Sequence, residues 1–164
     1  MRLYWSASPH GRLATSPAPS AAALGQCVAD IAAQGVTTVV SALPEEESSR
    51  LGLATEGELL AQAGIEFLRF PVEDFGVPSD VEAADRFVAE IGDRLVGGGS
   101  VLVHCRGGIG RCSTLAAAVL CALGEGPEEA MSSLSAARGM RVPETQGQRM
   151  WVHSAAARHG GAVA

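Results

Sequence analysis

A short aliphatic run at residues 101–103 passes without a break into His104-Cys105-Arg106-Gly107-Gly108-Ile109-Gly110-Arg111, and an alanine- and leucine-rich stretch of helical character follows at once. Strand, glycine loop and helix in immediate succession make an oxyanion cradle. Five residues separate Cys105 from Arg111 and three of them are glycine, so the loop can wrap with successive N–H groups pointing inward. The following helix adds its positive N-terminal end, and a phosphate-sized dianion fits such a field. The same field stabilises a thiolate: thiols at helix N-termini beside a cation have pKa values of roughly 3.5–7.5, which makes Cys105 an ionised nucleophile at neutral pH. Arg111 offers two parallel N–H donors to two oxygens of one tetrahedral anion, a contact that lysine does not reproduce.

The spacing alone is a weak signal. With 4 cysteines and 12 arginines in 164 residues, a cysteine followed six positions later by arginine arises by chance about 0.3 times per chain. The preceding histidine, the glycines, the flanking strand and helix and a suitable acid upstream are what separate this loop from a buried cysteine beside an ordinary glycine turn. That acid is expected in Phe70-Pro71-Val72-Glu73-Asp74-Phe75-Gly76-Val77-Pro78, where two prolines and a glycine define a loop after a strand-like run at residues 65–70. Asp74 is the choice for a group that protonates a leaving oxygen and then activates water, Glu73 is its competitor, and two solvated loop carboxylates are the plain alternative.

Residues 104–111 match the HCxxGxxR signature of the cysteine-dependent protein phosphatases, and residues 71–78 resemble the general-acid loop of the small dual-specificity branch. The similarity runs roughly over residues 24–151. It is strongest to the compact group containing the kinase-associated phosphatases, through HCRGGIGRCS, LAAAVLCALG, Pro127-Glu128-Glu129-Ala130 and Ala137-Arg138-Gly139. The resemblance implies Cys105 as nucleophile, Arg111 as phosphate clamp, Asp74 as acid and then base, and a phosphate-binding backbone at Arg106, Gly107, Gly108, Ile109, Gly110 and Arg111. It implies that His104 supports the loop by hydrogen bonding. A polar side chain that orients the hydrolytic water is expected at Gln148, with Gln146 as rival and a plain helix-surface amide as the alternative for either.

One position departs from the family pattern. The hydroxyl residue that usually follows the arginine is replaced by Cys112, with Ser113 one place later. Either the hydroxyl's help to the departing thiolate is weakened, or Ser113 supplies it. A thiol there also raises the expectation of a reversible Cys105–Cys112 disulfide, against the plain reading of Cys112 as a small buried side chain.

The remaining sequence bounds these readings. A chain of 164 residues with 47% hydrophobic content forms one domain, expected over residues 1–158, with residues 159–164 frayed. Four cysteines without metal-ligand spacing, no targeting pattern in residues 1–10 and no bilayer-length apolar run point to a reduced cytoplasm, and neither metal nor cofactor is expected. All cations are arginine, and alanine and glycine are abundant, as in a GC-rich bacterial gene. A net charge of −6 without a basic cluster disfavours nucleic acid and anionic membranes as partners and leaves a phosphorylated protein first, with a small non-protein substrate second; a monomer is expected.

The element pattern is alternating. Short edge strands are expected at residues 3–5 and 12–15, buried strands at 36–43 and before Cys105, and helices at 21–34, 56–63, 79–95, 109–123, 127–138 and 145–158. Residues 44–47 read as the acidic first turn of a short helix or as a solvated loop at the site's rim. Ser79 with Glu82 reads as a capping box. The fold class is α/β, a central, mainly parallel sheet with helices on both faces and Cys105 at a carboxyl end. The expected activity is hydrolysis of phosphotyrosine in proteins through a cysteinyl-phosphate, with phosphoserine and phosphothreonine also open. The alternatives are a phosphoprotein-binding module without turnover and a rhodanese-type sulfurtransferase, whose loop is typically one residue shorter and which needs no Asp74.

Overall fold

The computed structural model describes residues 1–160. Along the chain run strands β1 (Tyr4–Ser6) and β2 (Arg12–Pro17), helix α1 (Leu24–Ala33), strand β3 (Thr38–Ser41), helices α2 (Glu45–Arg50) and α3 (Glu56–Gln62), strand β4 (Glu66–Arg69), helix α4 (Val81–Val96), strand β5 (Ser100–Cys105) and helices α5 (Arg111–Ala122), α6 (Pro127–Arg138) and α7 (Gln146–Gly160). The strands form one sheet in the order β1-β2-β5-β3-β4, parallel except where β1 pairs with β2. The expected single α/β domain is what the chain forms.

Strand alternation decides which side chain goes where. On β5, Val101, Val103 and Cys105 face the core built by α4, α5, α6 and α7, whereas Leu102 faces the smaller core under α1 and α3, with Val28, Ile31 and Leu60. Helix α5 is buried on all sides from Arg111 through Cys121. Ala116, Ala117 and Ala118 let its neighbours approach closely, and Leu115, Val119 and Leu120 each contribute about 1.5–3 kcal/mol of burial. Packing of this kind fixes the N-terminus of α5 under the glycine loop.

Several boundaries differ from expectation for local reasons. Residues 12–15 do not form an edge strand: β2 lies between β1 and β5 and continues to Pro17, opposite Cys105. Its Ala14, Thr15 and Ser16 are small or polar, a pattern that does not announce burial, yet all three are enclosed. The Ser79–Glu82 capping box does not form. Asp80 is the cap of α4, its carboxylate accepting the Ala83 N–H at 2.9 Å, while Thr145 and Gln148 form the reciprocal pair at the start of α7 (Thr145 N to Gln148 Oε1 3.2 Å, Gln148 N to Thr145 Oγ1 3.1 Å). The helix at residues 21–34 opens with a 3-10 turn, Ala21–Ala23. Helix α7 runs through His159 and Gly160, two residues into the segment expected to fray, because Arg158 grips Asp85 with contacts of 2.8 and 3.0 Å; residues 161–164 lie outside the described residues.

Candidate active site

The loop between β5 and α5 is shaped by contacts that exclude larger residues. Gly108 adopts a positive φ of +67°, and a Cβ there would run into the Ser16–Pro17 peptide at the end of β2. A Cβ on Gly110 would stand 2.5 Å from Oε1 of Glu144 and 2.8 Å from the Gln148 amide. Outside the loop, Arg138 at the end of α6 donates through Nε to the Gly108 carbonyl at 2.9 Å and through Nη2 to that of Gly107 at 3.4 Å, with its guanidinium 4.3 Å from the Tyr4 ring centroid. Carbonyls drawn outward leave the peptide N–H groups free to face inward.

Cys105 is 2% exposed, and its Sγ lies 3.4 Å from Sγ of Cys112. The Cys105 thiol is lowered from 9.0 to about 5, chiefly by the hydrogen bond from the Cys112 thiol and then by the backbone N–H groups of Cys112, Ile109 and Gly108, against the opposing effect of burial. Burial and the neighbouring thiolate push Cys112 well above the ordinary range, which keeps it a protonated donor. Ser113 lies fully buried beside Cys112, but its hydroxyl makes no hydrogen bond of normal geometry among the described residues. It is the Cys112 thiol, and not the Ser113 hydroxyl, that faces Cys105.

The Arg111 guanidinium is held from three directions. Nη1 and Nη2 meet the two oxygens of Glu47 at 2.7 and 3.1 Å, Nη1 also donates to the Val72 carbonyl at 3.2 Å, and Nη2 lies 3.0 Å from Oδ1 of Asp74. This bidentate pair with Arg111 is what holds the Glu47 carboxylate below its ordinary range. The two readings of residues 44–47 are both realised: α2 is a short helix with an acidic first turn, and it forms the rim. The sequence signal was there, an unbroken Glu45-Glu46-Glu47 run, but helical spacing alone does not say which of the three turns toward Arg111.

Asp74 and Glu73 separate clearly. Asp74 lines a cavity of about 250 Å³ together with Cys105, Arg106, Gly110, Arg111 and Glu144. Glu73 lines only the adjoining cavity of about 600 Å³, whose wall carries Asp74 as well, together with Glu45, Glu46, Glu47, Arg50 and Arg106. A tight turn follows, Gly76 N to the Glu73 carbonyl at 2.9 Å, with Phe75 in the left-handed region at φ 58°.

Gln148 is fully buried. Its Oε1 caps α7 and its Nε2 donates to the Gly76 carbonyl at 3.1 Å. Each end of the amide thus has a protein partner, and the side chain ties the loop at residues 70–78 to the start of α7. Gln146 faces a separate surface groove with Arg149 and Met150. His104 departs from its expected role: strand alternation turns it away from the loop, and its Nε2 lies 3.0 Å from Oε1 of Glu56, both residues 1% exposed, at angles that fall short of a hydrogen bond. Nothing in the sequence singles out Glu56 or Glu144. Among the described residues no cluster of three or more His, Cys, Asp or Glu is placed to hold a metal ion, and no helix is long and apolar enough to cross a membrane.

This arrangement joins an ionised sulfur, a paired guanidinium and a carboxyl around a phosphate-sized cavity. Residues 11–158 match the family model described as PTP-SAK, Swiss Army Knife protein, DSP-PTPase phosphatase domain. Cyclin-dependent kinase inhibitor 3 of Rattus norvegicus is 28% identical over 126 residues, 76% of this chain and 59% of that protein, so the chain spans about three fifths of that relative's length. The structure superposes on kinase-associated phosphatase carrying serine at its catalytic-site cysteine with a TM-score of 0.85 and 22% identity, covering 97% and 96% of the two chains. On PTPMT1 in complex with PI(5)P the TM-score is 0.77 at 22% identity, covering 98% and 99%. At these identities the likeness is one of fold.

Proposed function

The chain belongs to the PTP-SAK family of DSP-PTPase phosphatase domains, and from that premise we propose that it hydrolyses phosphotyrosine in proteins, with phosphoserine and phosphothreonine as a secondary class. The carrying observation is the convergence of Cys105, Arg111 and Asp74 on one cavity of about 250 Å³ at the carboxyl end of β5. Cys105 attacks phosphorus in line with the ester oxygen. Arg111 and the loop N–H groups hold the equatorial oxygens as charge redistributes, and Asp74 protonates the departing oxygen. Water then attacks the cysteinyl-phosphate, losing its proton to the Asp74 carboxylate, and the thiolate leaves. Cys112 supports that departure by donating to the sulfur at 3.4 Å, the task a hydroxyl performs elsewhere in the family.

A protein substrate is favoured over a phosphorylated lipid headgroup by the adjoining cavity, whose wall of Glu45, Glu46, Glu47, Glu73 and Asp74 repels additional phosphates and whose cations, among the described residues, are Arg50 and Arg106. The name of the rat relative ties it to a protein kinase, which also favours a phosphoprotein. We expect the enzyme to act as a monomer in a reducing cytoplasm, without metal or cofactor.

Steady-state hydrolysis of para-nitrophenyl phosphate in EDTA and reductant tests the reading, followed by a phosphopeptide and phosphoinositide panel. Turnover by the wild type that Cys105→Ser abolishes, with peptides preferred, is the expected result. No turnover by clean, reduced wild type overturns it and leaves the phosphoprotein-binding and sulfurtransferase readings, which peptide binding and a thiosulfate–cyanide assay separate.

A further inference from the structure

The wall of the phosphate cavity opposite Asp74 carries a second carboxyl group. Glu144 stands just before the Thr145 cap of α7, and its side chain lies over the loop, with Oε1 2.5 Å from the Cβ position of Gly110. It lines the same cavity as Cys105, Asp74 and Arg111. Among the described residues the Glu144 carboxyl makes no hydrogen bond or ion pair, whereas Asp74 is engaged by Arg111 at 3.0 Å. The backbone of Glu144 is held independently, its carbonyl accepting from Arg149 Nη1 at 3.0 Å.

Resting on the phosphatase reading above, we propose that Glu144 is a second acid–base group of this site, sharing with Asp74 the protonation of the departing oxygen and the deprotonation of the attacking water. In the first step the O–P bond breaks as the S–P bond forms, and a carboxyl proton passes to the leaving oxygen. In the second, the water oxygen bonds to phosphorus, its proton returns to the carboxylate, and the S–P bond breaks to release the thiolate. Every proton lost in one step is regained in the next, so either carboxyl can complete the cycle.

The surroundings suit Glu144 to hold a proton. Partial burial raises its pKa, as do the negative charges of Cys105 and Asp74, against the opposing Arg111. Arg106 borders the same cavity, and Arg149 of α7 contacts the Glu144 backbone only. Asp74 lies 3.0 Å from the Arg111 guanidinium, and Glu144 makes no such pair among the described residues. Two carboxyls in unlike environments divide acid and base work in this way elsewhere.

The test uses the full chain and an alkyl phosphate, whose poor leaving group requires protonation. Wild-type turnover abolished by Cys105→Ser establishes that the phosphatase reading stands before the carboxyls are compared. Asp74→Asn is then expected to retain a basic limb in its pH–rate profile, carried by Glu144, and Asp74→Asn/Glu144→Gln to lose that limb together with at least a further tenfold in kcat. A second readout does not need turnover: alkylation of Cys105 against pH shows an inflection from Glu144 that Glu144→Gln removes. A basic limb abolished by Asp74→Asn alone, or alkylation profiles identical in wild type and Glu144→Gln, overturns the proposal. A fall in kcat for Glu144→Gln with both pH profiles unchanged also overturns it, because a merely structural side chain behaves that way.

Discussion

The phosphate loop and the acid loop meet over one cavity but are held by different means. Residues 105–111 are fixed by backbone: β5 pairs on both sides, the Arg106 carbonyl accepts from Ala18 N–H at 3.2 Å, Gly108 fits against the Ser16–Pro17 peptide, and Thr114 closes the first turn of α5 onto the Gly110 carbonyl at 2.9 Å. Residues 70–78 leave the sheet after the Val72 N–H bond to Ala42 at 3.0 Å, and beyond it they are held by side chains, through Asp74 to Arg111 and Gln148 to Gly76. Asp74 is 46% exposed and Phe75 63%, against 2% for Cys105 and Arg111. A nucleophile must be held in place, and backbone does that. For Asp74, the proposed acid, the contacts are one ion pair of a half-exposed carboxylate and one side-chain hydrogen bond to its loop, which release more readily than paired backbone.

Perturbing each loop in turn sharpens this contrast. The largest effect is expected from Arg111→Lys, which keeps the charge but loses the paired contact and the grip of Glu47; kcat/KM should fall on the order of 10²–10³-fold. A change of less than about fivefold in steady-state kinetics would break the claim that the planar fork matters.

On the acid side, Asp74→Asn should cost about 10²-fold on alkyl phosphates and far less on para-nitrophenyl phosphate, whose leaving group needs little protonation. Glu73→Gln should remain within about twofold on both, since Glu73 lines only the adjoining cavity. Equal losses from the two variants would show that the Arg111 pair and the cavity beside Cys105 do not discriminate between the adjacent carboxylates.

The smallest effect concerns the Cys105–Cys112 contact. Iodoacetamide alkylation of Cys105 should rise with pH through about 5. Cys112→Ala removes a donor to a charged group, an interaction of about 1.5–3 kcal/mol, so alkylation at pH 5 should fall about tenfold, with Cys112→Ser closer to wild type. Folding lowers the Cys105 pKa from 9.0 to about 5, so its ionisation contributes stability that is full above pH 9 and lost as pH falls through about 5. The same contact is expected to close under peroxide: the thiolate is oxidised to a sulfenic acid, the Cys112 thiol displaces water from it, and the intact mass drops by two hydrogens. Cys112→Ser undergoing that same loss would refute the pairing.

The sequence determined the sheet class, the strand–loop–helix order and the residues at both ends of the glycine loop, because all three rest on interactions between near neighbours in the chain. Cys105 and Arg111 are six residues apart, and the loop that joins them is itself the proposed phosphate-binding site. It also narrowed the candidate acid to a pair, Glu73 or Asp74. Only the tertiary structure tells the two apart, because what distinguishes Asp74 is an arginine 37 residues downstream and a place in the cavity beside Cys105. The same holds for Glu47, 64 residues from Arg111, and for Arg138, 30 residues from the Gly108 carbonyl it holds. It holds equally for the inversion of His104 and for Glu144, whose neighbourhood is assembled from α7, the acid loop and the phosphate loop. Each partner is a common residue type in an unremarkable local context. What makes it part of the site is long-range packing, chiefly the burial of α5, which brings otherwise distant carboxylates and guanidiniums to the end of β5.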